Sequence, residues 1–178
     1  MTNLKPLILP FRGIRPILPE SCYLAPGVCI VGDVILGEDS SVWFHSIIRA
    51  DVNYVRIGRR TNVQDQCVLH VSAGTHPLNI GDEVTIAHAA VIHGCSIEDG
   101  CFVGIGARIL DGAQIGRESL VAAGAVVTPN MIIPPRSLVL GVPARVKRSL
   151  EEKEVEKIRA SARTYVDYAS EYRDGVHE

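Results

Sequence analysis

The sequence is poor in aromatic residues, with one Trp, five Tyr and three Phe in 178 residues. Stacked rings are therefore not what fills its interior. Its five cysteines, Cys22, Cys29, Cys67, Cys95 and Cys101, are odd in number and include no Cys-x-x-Cys pair. A disulfide framework and a cysteine zinc cluster are both disfavoured, and a cytoplasmic, reducing setting is the expectation. Neither sign of charge dominates, with 18 Lys+Arg against 20 Asp+Glu and a net charge of −2. Nothing in that balance marks a nucleic-acid or membrane partner. No apolar run approaches the ~18 residues of a membrane span. The apolar start, Met1 to Pro10, lacks a basic leader and a small-residue cleavage site, so it is not read as a secretory signal. Gly-x-x-x-x-Gly-Lys, His-Glu-x-x-His and Gly-x-Ser-x-Gly are all missing, which removes phosphate loops, zincin helices and serine nucleophile elbows.

What the sequence has in abundance is aliphatic side chains in a fixed rhythm. Ile97, Val103, Ile109, Ile115, Val121 and Val127 follow one another at steps of six. The same step links Ile80, Ile86 and Ile92, then Ile57, Val63 and Leu69, then Leu36, Val42 and Ile48. Four residues after each aliphatic comes a small residue, among them Ser40, Ser46, Thr61, Cys67, Ala90, Cys101, Ala107 and Ser119. Gly37, Gly58, Gly81, Gly104 and Gly116 directly follow an aliphatic, where the reading is that they relieve a strained corner.

A period of six fits neither helix nor flat sheet. It is the mark of hexapeptide repeats, in which three hexads make one triangular coil of a parallel β-helix. The aliphatics fill the prism, the small residues fit where its wall turns, and so narrow an interior explains the scarcity of rings. The fold class is therefore an all-β solenoid. Residues 1–148 are assigned to it, with Pro129, Pro134, Pro135 and Pro143 closing it beyond Val127. Ser149 and Glu152 read as a capping box. It would open a helix, residues 149–173, whose stripe of Val155, Ile158, Ala162, Tyr165, Val166, Ala169 and Tyr172 packs on the prism. Extra residues between Ile48 and Ile57 and between Leu69 and Ile80 read as loops on one side of the solenoid, the side on which function concentrates.

The register also places the histidines. His70 follows Leu69 and His93 follows Ile92, so they stack on one edge in successive coils. Arg49 shares that column. His88 comes two residues after Ile86 and lies on another face, in the column of Asp65. Two stacked imidazoles give a metal two ligands, whereas a catalytic zinc takes three from protein and keeps one position open. His88 can complete the set only for another copy of the chain, which points to a homotrimer with metal sites between subunits.

At Ile48-Arg49-Ala50-Asp51, Thr61-Asn62-Val63-Gln64-Asp65, Val68-Leu69-His70-Val71, Ala87-His88 through His93-Gly94, and Gly141-Val142-Pro143-Ala144 the sequence resembles the γ-class carbonic anhydrases. These are hexapeptide-repeat, left-handed β-helix proteins that assemble as trimers. The resemblance implies that His70, His93 and the His88 of the next subunit bind zinc, with iron or cobalt as alternatives. It implies that Gln64, steadied by Asn62, hydrogen-bonds the metal-bound hydroxide, that Tyr165 lies in a C-terminal active-site segment, and that Arg49, Asp51 and Asp65 clamp the interface. The implied activity is that of a lyase, carbonate dehydratase, in which hydroxide attacks CO2 to give bicarbonate. The sequence departs from the family at the two acidic-loop glutamates that move protons. The first aligns near Val52, and neither is present in the loop from Val71 to Pro77, so slow turnover is expected, with His76 as a substitute shuttle. Three other readings share the scaffold: a hexapeptide acyltransferase with a histidine base, an acyl-CoA thioesterase, and a non-catalytic metal-binding assembly subunit.

Overall fold

The structure is a computed structural model and describes residues 4–175; His177 lies outside them. The chain winds into a left-handed parallel β-solenoid of about seven turns and ends in one helix. Each turn crosses three flat walls. The first wall carries Val68–His70, Val91–His93, Arg108–Ile109 and Val126–Val127 above the leading halves of Cys29–Leu36 and Ile47–Ile57. The second carries the trailing halves of those two long strands, then Leu78–Ile80, Ser96–Ile97, Gln114–Ile115 and Ile132–Ile133. Because the long strands run round the corner, the two walls form one 11-stranded sheet. The third wall is the 8-stranded sheet from Tyr23–Leu24 to Ser137–Gly141, closed by the antiparallel strand Ala144–Ser149.

The six-residue step is the register of these walls. Ile48, Leu69, Ile92, Ile109 and Val127 pair in sequence up the first wall, and all are fully buried. The column of small residues is buried too, and its hydroxyls reach carbonyls along the coil: Ser40 Oγ donates to Gly58 O at 2.7 Å, and Ser46 Oγ to Gln64 O at 2.5 Å. A buried Ile in such a column contributes ~1.5–3 kcal/mol, and neighbouring coils give the wall little room to collapse around a void. Ile109→Ala should therefore lower the unfolding free energy by about 2–5 kcal/mol in urea titrations followed by circular dichroism.

Three local expectations are corrected. The glycines that follow the aliphatics do not hold the left-handed backbone. That conformation falls on Asp39, Arg60, Glu83, Gly100, Glu118 and Arg136, which turn the same corner coil after coil. Gly58 and Gly104 are instead required for space, since an added Cβ would lie 2.5 Å from backbone of the next coil. Nor do Pro129, Pro134 and Pro135 end the prism, whereas Pro143 lies in the turn after its last parallel strand. Pro129 and Pro135 sit in turns, where no ladder donor is needed, and the walls continue through Ile133 and Val139, both buried. Finally, Ser149 stays in its strand. The capping box is Glu151 with Glu154, and the helix runs Glu152–Arg173. It lies against the third wall, with Val155, Ile158, Ala162 and Ala169 buried.

Candidate metal centre

Two clusters of polar side chains stand at opposite ends of the first wall. At the end where the strands leave it, His70 and His93 are register partners, and His70 Nδ1 lies 3.0 Å from His93 Nε2. The outer nitrogen of each ring faces a carboxylate. His70 Nε2 is 3.1 Å from Asp51 Oδ1, and His93 Nδ1 is 2.5 Å from Asp111 Oδ1. Arg49 pairs with the other oxygen of Asp51. Ser72 Oγ donates to the other oxygen of Asp111 at 2.7 Å. Burial pushes both carboxyls up, but the hydrogen bonds from His70 and Arg49 to Asp51, and from His93 and Ser72 to Asp111, outweigh it and leave both below the usual carboxylate range.

This donor set calls for a cation. A ring nitrogen that faces a carboxylate is the one carrying the proton, so the nitrogens His70 Nδ1 and His93 Nε2 turn lone pairs toward each other. Two lone pairs at 3.0 Å repel unless a proton or a metal ion lies between them. A tetrahedral zinc with Zn–N of ~2.0–2.1 Å needs the two nitrogens ~3.3 Å apart, a few tenths of an ångström more. Carboxylates behind both imidazoles are the usual outer partners of metal-bound histidine. His70 and His93 therefore fit a metal ion.

The second cluster lies where the strands enter the wall. His88 Nδ1 is 2.7 Å from Asp65 Oδ2, and Asp65 Oδ1 accepts from the Phe44 amide at 3.1 Å. On the neighbouring rung Gln64 is buried, and its Nε2 donates to Asn62 Oδ1 at 3.2 Å; Asn62 Nδ2 donates in turn to Thr85 Oγ1 at 3.0 Å. The helix brings Tyr165 to the same end. Its ring stands edge-on to Trp43, with centroids 5.4 Å apart, and burial together with the Asp65 carboxylate raises its pKa. Trp43, Phe44, Asp65, Tyr165, Tyr168, Glu171 and Tyr172 line a cavity of about 500 Å³.

The structure thus gathers the sequence-read residues into two groups. His70, His93, Arg49 and Asp51 form one; His88, Asp65, Gln64, Asn62 and Tyr165 form the other. Arg49 meets Asp51 within the chain, while Asp65 stands at the far end with His88. The wall and a corner separate His88 from His93, more than ~10 Å of chain. Among the described residues of one chain, no three His, Cys, Asp or Glu side chains converge on a metal site. Cys95 is buried beside His93, and burial pushes its thiol far up, which suits packing rather than ligation.

Asp111 escaped the sequence reading. It follows the interior Ile109 by two residues and falls in the column of Gly94, not of His93, so it meets the imidazole only on a diagonal. The tetrad Ile109-Leu110-Asp111-Gly112 carried no signal beyond an acidic residue at a corner.

Between the two clusters the outer side of the wall is apolar over five rungs, up to the exposed Arg108. Leu7, Cys29, Ile47, Val68 and Val91 are successive register partners. Leu7, Ile47 and Val68 are 51%, 41% and 39% exposed. Soluble monomers seldom leave such an apolar row, half-buried at Cys29 and Val91 and exposed at the other three, open over ~20 Å.

A family model, Bacterial transferase hexapeptide (six repeats), matches residues 94–129. The chain is 51% identical over 149 residues to a probable carbonic anhydrase of Methanocaldococcus jannaschii, covering 84% of this chain and 93% of that one. It is 43% identical to the mitochondrial gamma carbonic anhydrase 1 of Arabidopsis thaliana, covering 86% of this chain but 58% of the plant protein's length. Among solved structures, a Bacillus cereus protein provisionally named as an acetyltransferase superposes with a TM-score of 0.93 at 39% identity, over 95% of this chain and 98% of that one. Identity of this extent over more than four fifths of this chain, on the same solenoid, establishes that the chain belongs to the γ-class carbonic anhydrase family of hexapeptide-repeat proteins.

Proposed function

We propose that the protein is a zinc-dependent CO2 hydratase that works as a homotrimer with three interfacial sites. The observation that carries this reading is the pair of half-sites at opposite ends of one wall, with the exposed apolar row between them. A wall of this kind packed against the neighbouring subunit around a threefold axis would cover Leu7, Ile47 and Val68 and bring His88 of the partner subunit to His70 and His93.

Zinc held there would supply a Lewis acid that lowers the pKa of water to about 7 and makes hydroxide available to CO2 at neutral pH. The chain's own residues then set orientation. Asp51 and Asp111 fix His70 and His93 by accepting from their outer nitrogens. Gln64 spends its Nε2 on Asn62, and Asn62 spends its Nδ2 on Thr85, so Gln64 has Oε1 left as an acceptor for the proton of the attacking water. With a valine at position 52, proton export falls to solvent and to His76, which stands in the exposed loop beside Asp111. That route supports slow turnover relative to glutamate-bearing relatives.

The aromatic cavity favours a second reading, hydrolysis of an acyl-CoA thioester. A space of about 500 Å³ beside Asp65 is far larger than CO2 needs. Protein purified without oxygen should carry about one metal ion per chain. Stopped-flow CO2 hydration that disappears on chelation and returns with zinc is the expected result. Hydrolysis of short-chain acyl-CoA with no CO2 hydration by the metal-loaded protein would replace the first reading by the second.

A further inference from the structure

We infer that Asp111 is a positioning residue for His93, selecting the imidazole tautomer that turns Nε2 toward His70, and that Gly94 exists to let it do so. The inference rests on the reading of His93 as a metal ligand, but its structural half stands without metal.

Asp111 is not on the rung of His93. The register sets Ile92 against Ile109, so the residue facing Asp111 is Gly94, whose carbonyl accepts the Gly112 amide at 2.8 Å. To reach His93 Nδ1 the carboxylate must cross the space above Gly94. An added Cβ on Gly94 would stand 2.4 Å from Asp111 Oδ1 and 2.7 Å from His76 Cβ, so any larger residue expels the carboxylate. Gly94 also has φ +49°, a conformation that glycine adopts without penalty.

The carboxylate is fixed from its other side as well. Ser72 Oγ donates to Oδ2, and the Ser72 carbonyl accepts from Asn53 Nδ2 at 3.0 Å. Both oxygens are thus committed, one to His93 and one to the loop from Val71 to Pro77. An imidazole whose Nδ1–H is held this way has one free lone pair, on Nε2, and that nitrogen faces His70. Without Asp111 the proton can move to Nε2, the ring can rotate about χ2, and the metal ligand is lost for part of the time. Outer partners of this kind are worth roughly 10–100-fold in metal affinity.

The test uses the full-length protein with 15N-labelled histidine, metal-free, at about pH 8, where an unperturbed imidazole is neutral. Long-range 1H–15N correlation spectra report each tautomer, and His93→Gln identifies the His93 signals. The wild type should show His93 protonated on Nδ1. Asp111→Ala should move the proton toward Nε2, and Gly94→Ala should do the same with Asp111 intact. Asp111→Asn, which keeps an acceptor oxygen, should preserve the wild-type pattern. Zinc affinity, measured by competition with a chromophoric chelator, should fall 10–100-fold in the first two variants and much less in the third. Should Asp111→Ala fail to fold, Gly94→Ala and Asp111→Asn give the same contrast. A folded Asp111→Ala or Gly94→Ala protein with the wild-type tautomer and zinc affinity within threefold of wild type would overturn the inference. A wild-type protein that binds no zinc, yet whose His93 tautomer depends on Asp111, would sink the metal reading and leave the positioning role standing.

Discussion

Alanine at His88 is expected to abolish zinc binding in a chain whose other two ligands are untouched, and that loss should be reversible by mixing. Two imidazoles make a poor zinc site, since a catalytic zinc takes three protein ligands. Trimers made only of His88→Ala subunits hold His70 and His93 at every interface but no third ligand. Trimers made only of His70→Ala subunits hold His88 but a broken pair. Co-refolded at equal amounts, the two variants assort at random around the ring. An interface is whole when a His88→Ala subunit supplies the pair and a His70→Ala subunit supplies His88. With each subunit type present at one half, about a quarter of the interfaces meet that condition. Metal analysis of the mixed trimers should therefore return about a quarter of the wild-type zinc, and CO2 hydration should follow it. Were all ligands supplied by one chain, every chain in the mixture would be broken and recovery would be nil.

The placing of the histidines was legible because a solenoid converts sequence spacing directly into geometry. Leu69 and Ile92 point inward on successive rungs of one wall, so the residues after them, His70 and His93, must stack outside. Two residues past Ile86 the chain has turned the corner, so His88 must face elsewhere. The unread parts share a different cause: they depend on contacts between rungs that spacing along one column cannot show. Asp111 meets His93 on a diagonal that exists only because Gly94 has no side chain. Gly58 and Gly104 face backbone of the next coil, not a demand of their own φ. Pro129 and Pro135 read as terminators, yet they occupy turns, where a missing amide donor removes no ladder bond. Handedness was never in the six-residue period, and came from family resemblance.

Introducing charge into the apolar row should dismantle the site without touching a ligand. Ile47 and Val68 are register partners on the outer side of the first wall, while Ile48 and Leu69 point into the prism. Ile47→Glu with Val68→Glu therefore alters the wall's exterior and leaves its core intact, so the circular dichroism spectrum of the single chain should stay near that of the wild type. In a trimer the two carboxylates would be buried against the partner's wall at every interface. Removing unpaired charges from water costs several kcal/mol each, and ~5 kcal/mol per interface is ~10⁴-fold in association. Sedimentation should show a species of one chain at micromolar concentration, and zinc should fall from about one ion per chain to under about a tenth, although His70, His88 and His93 are all present. A variant that stays trimeric and keeps its zinc would show that the row is not the interface. A monomer that keeps its zinc would show that the interface is not the site. Loss of assembly and metal together is the outcome that a shared site requires, because the apolar row and the two half-sites lie on one wall, which the two neighbouring subunits of a trimer would cover between them.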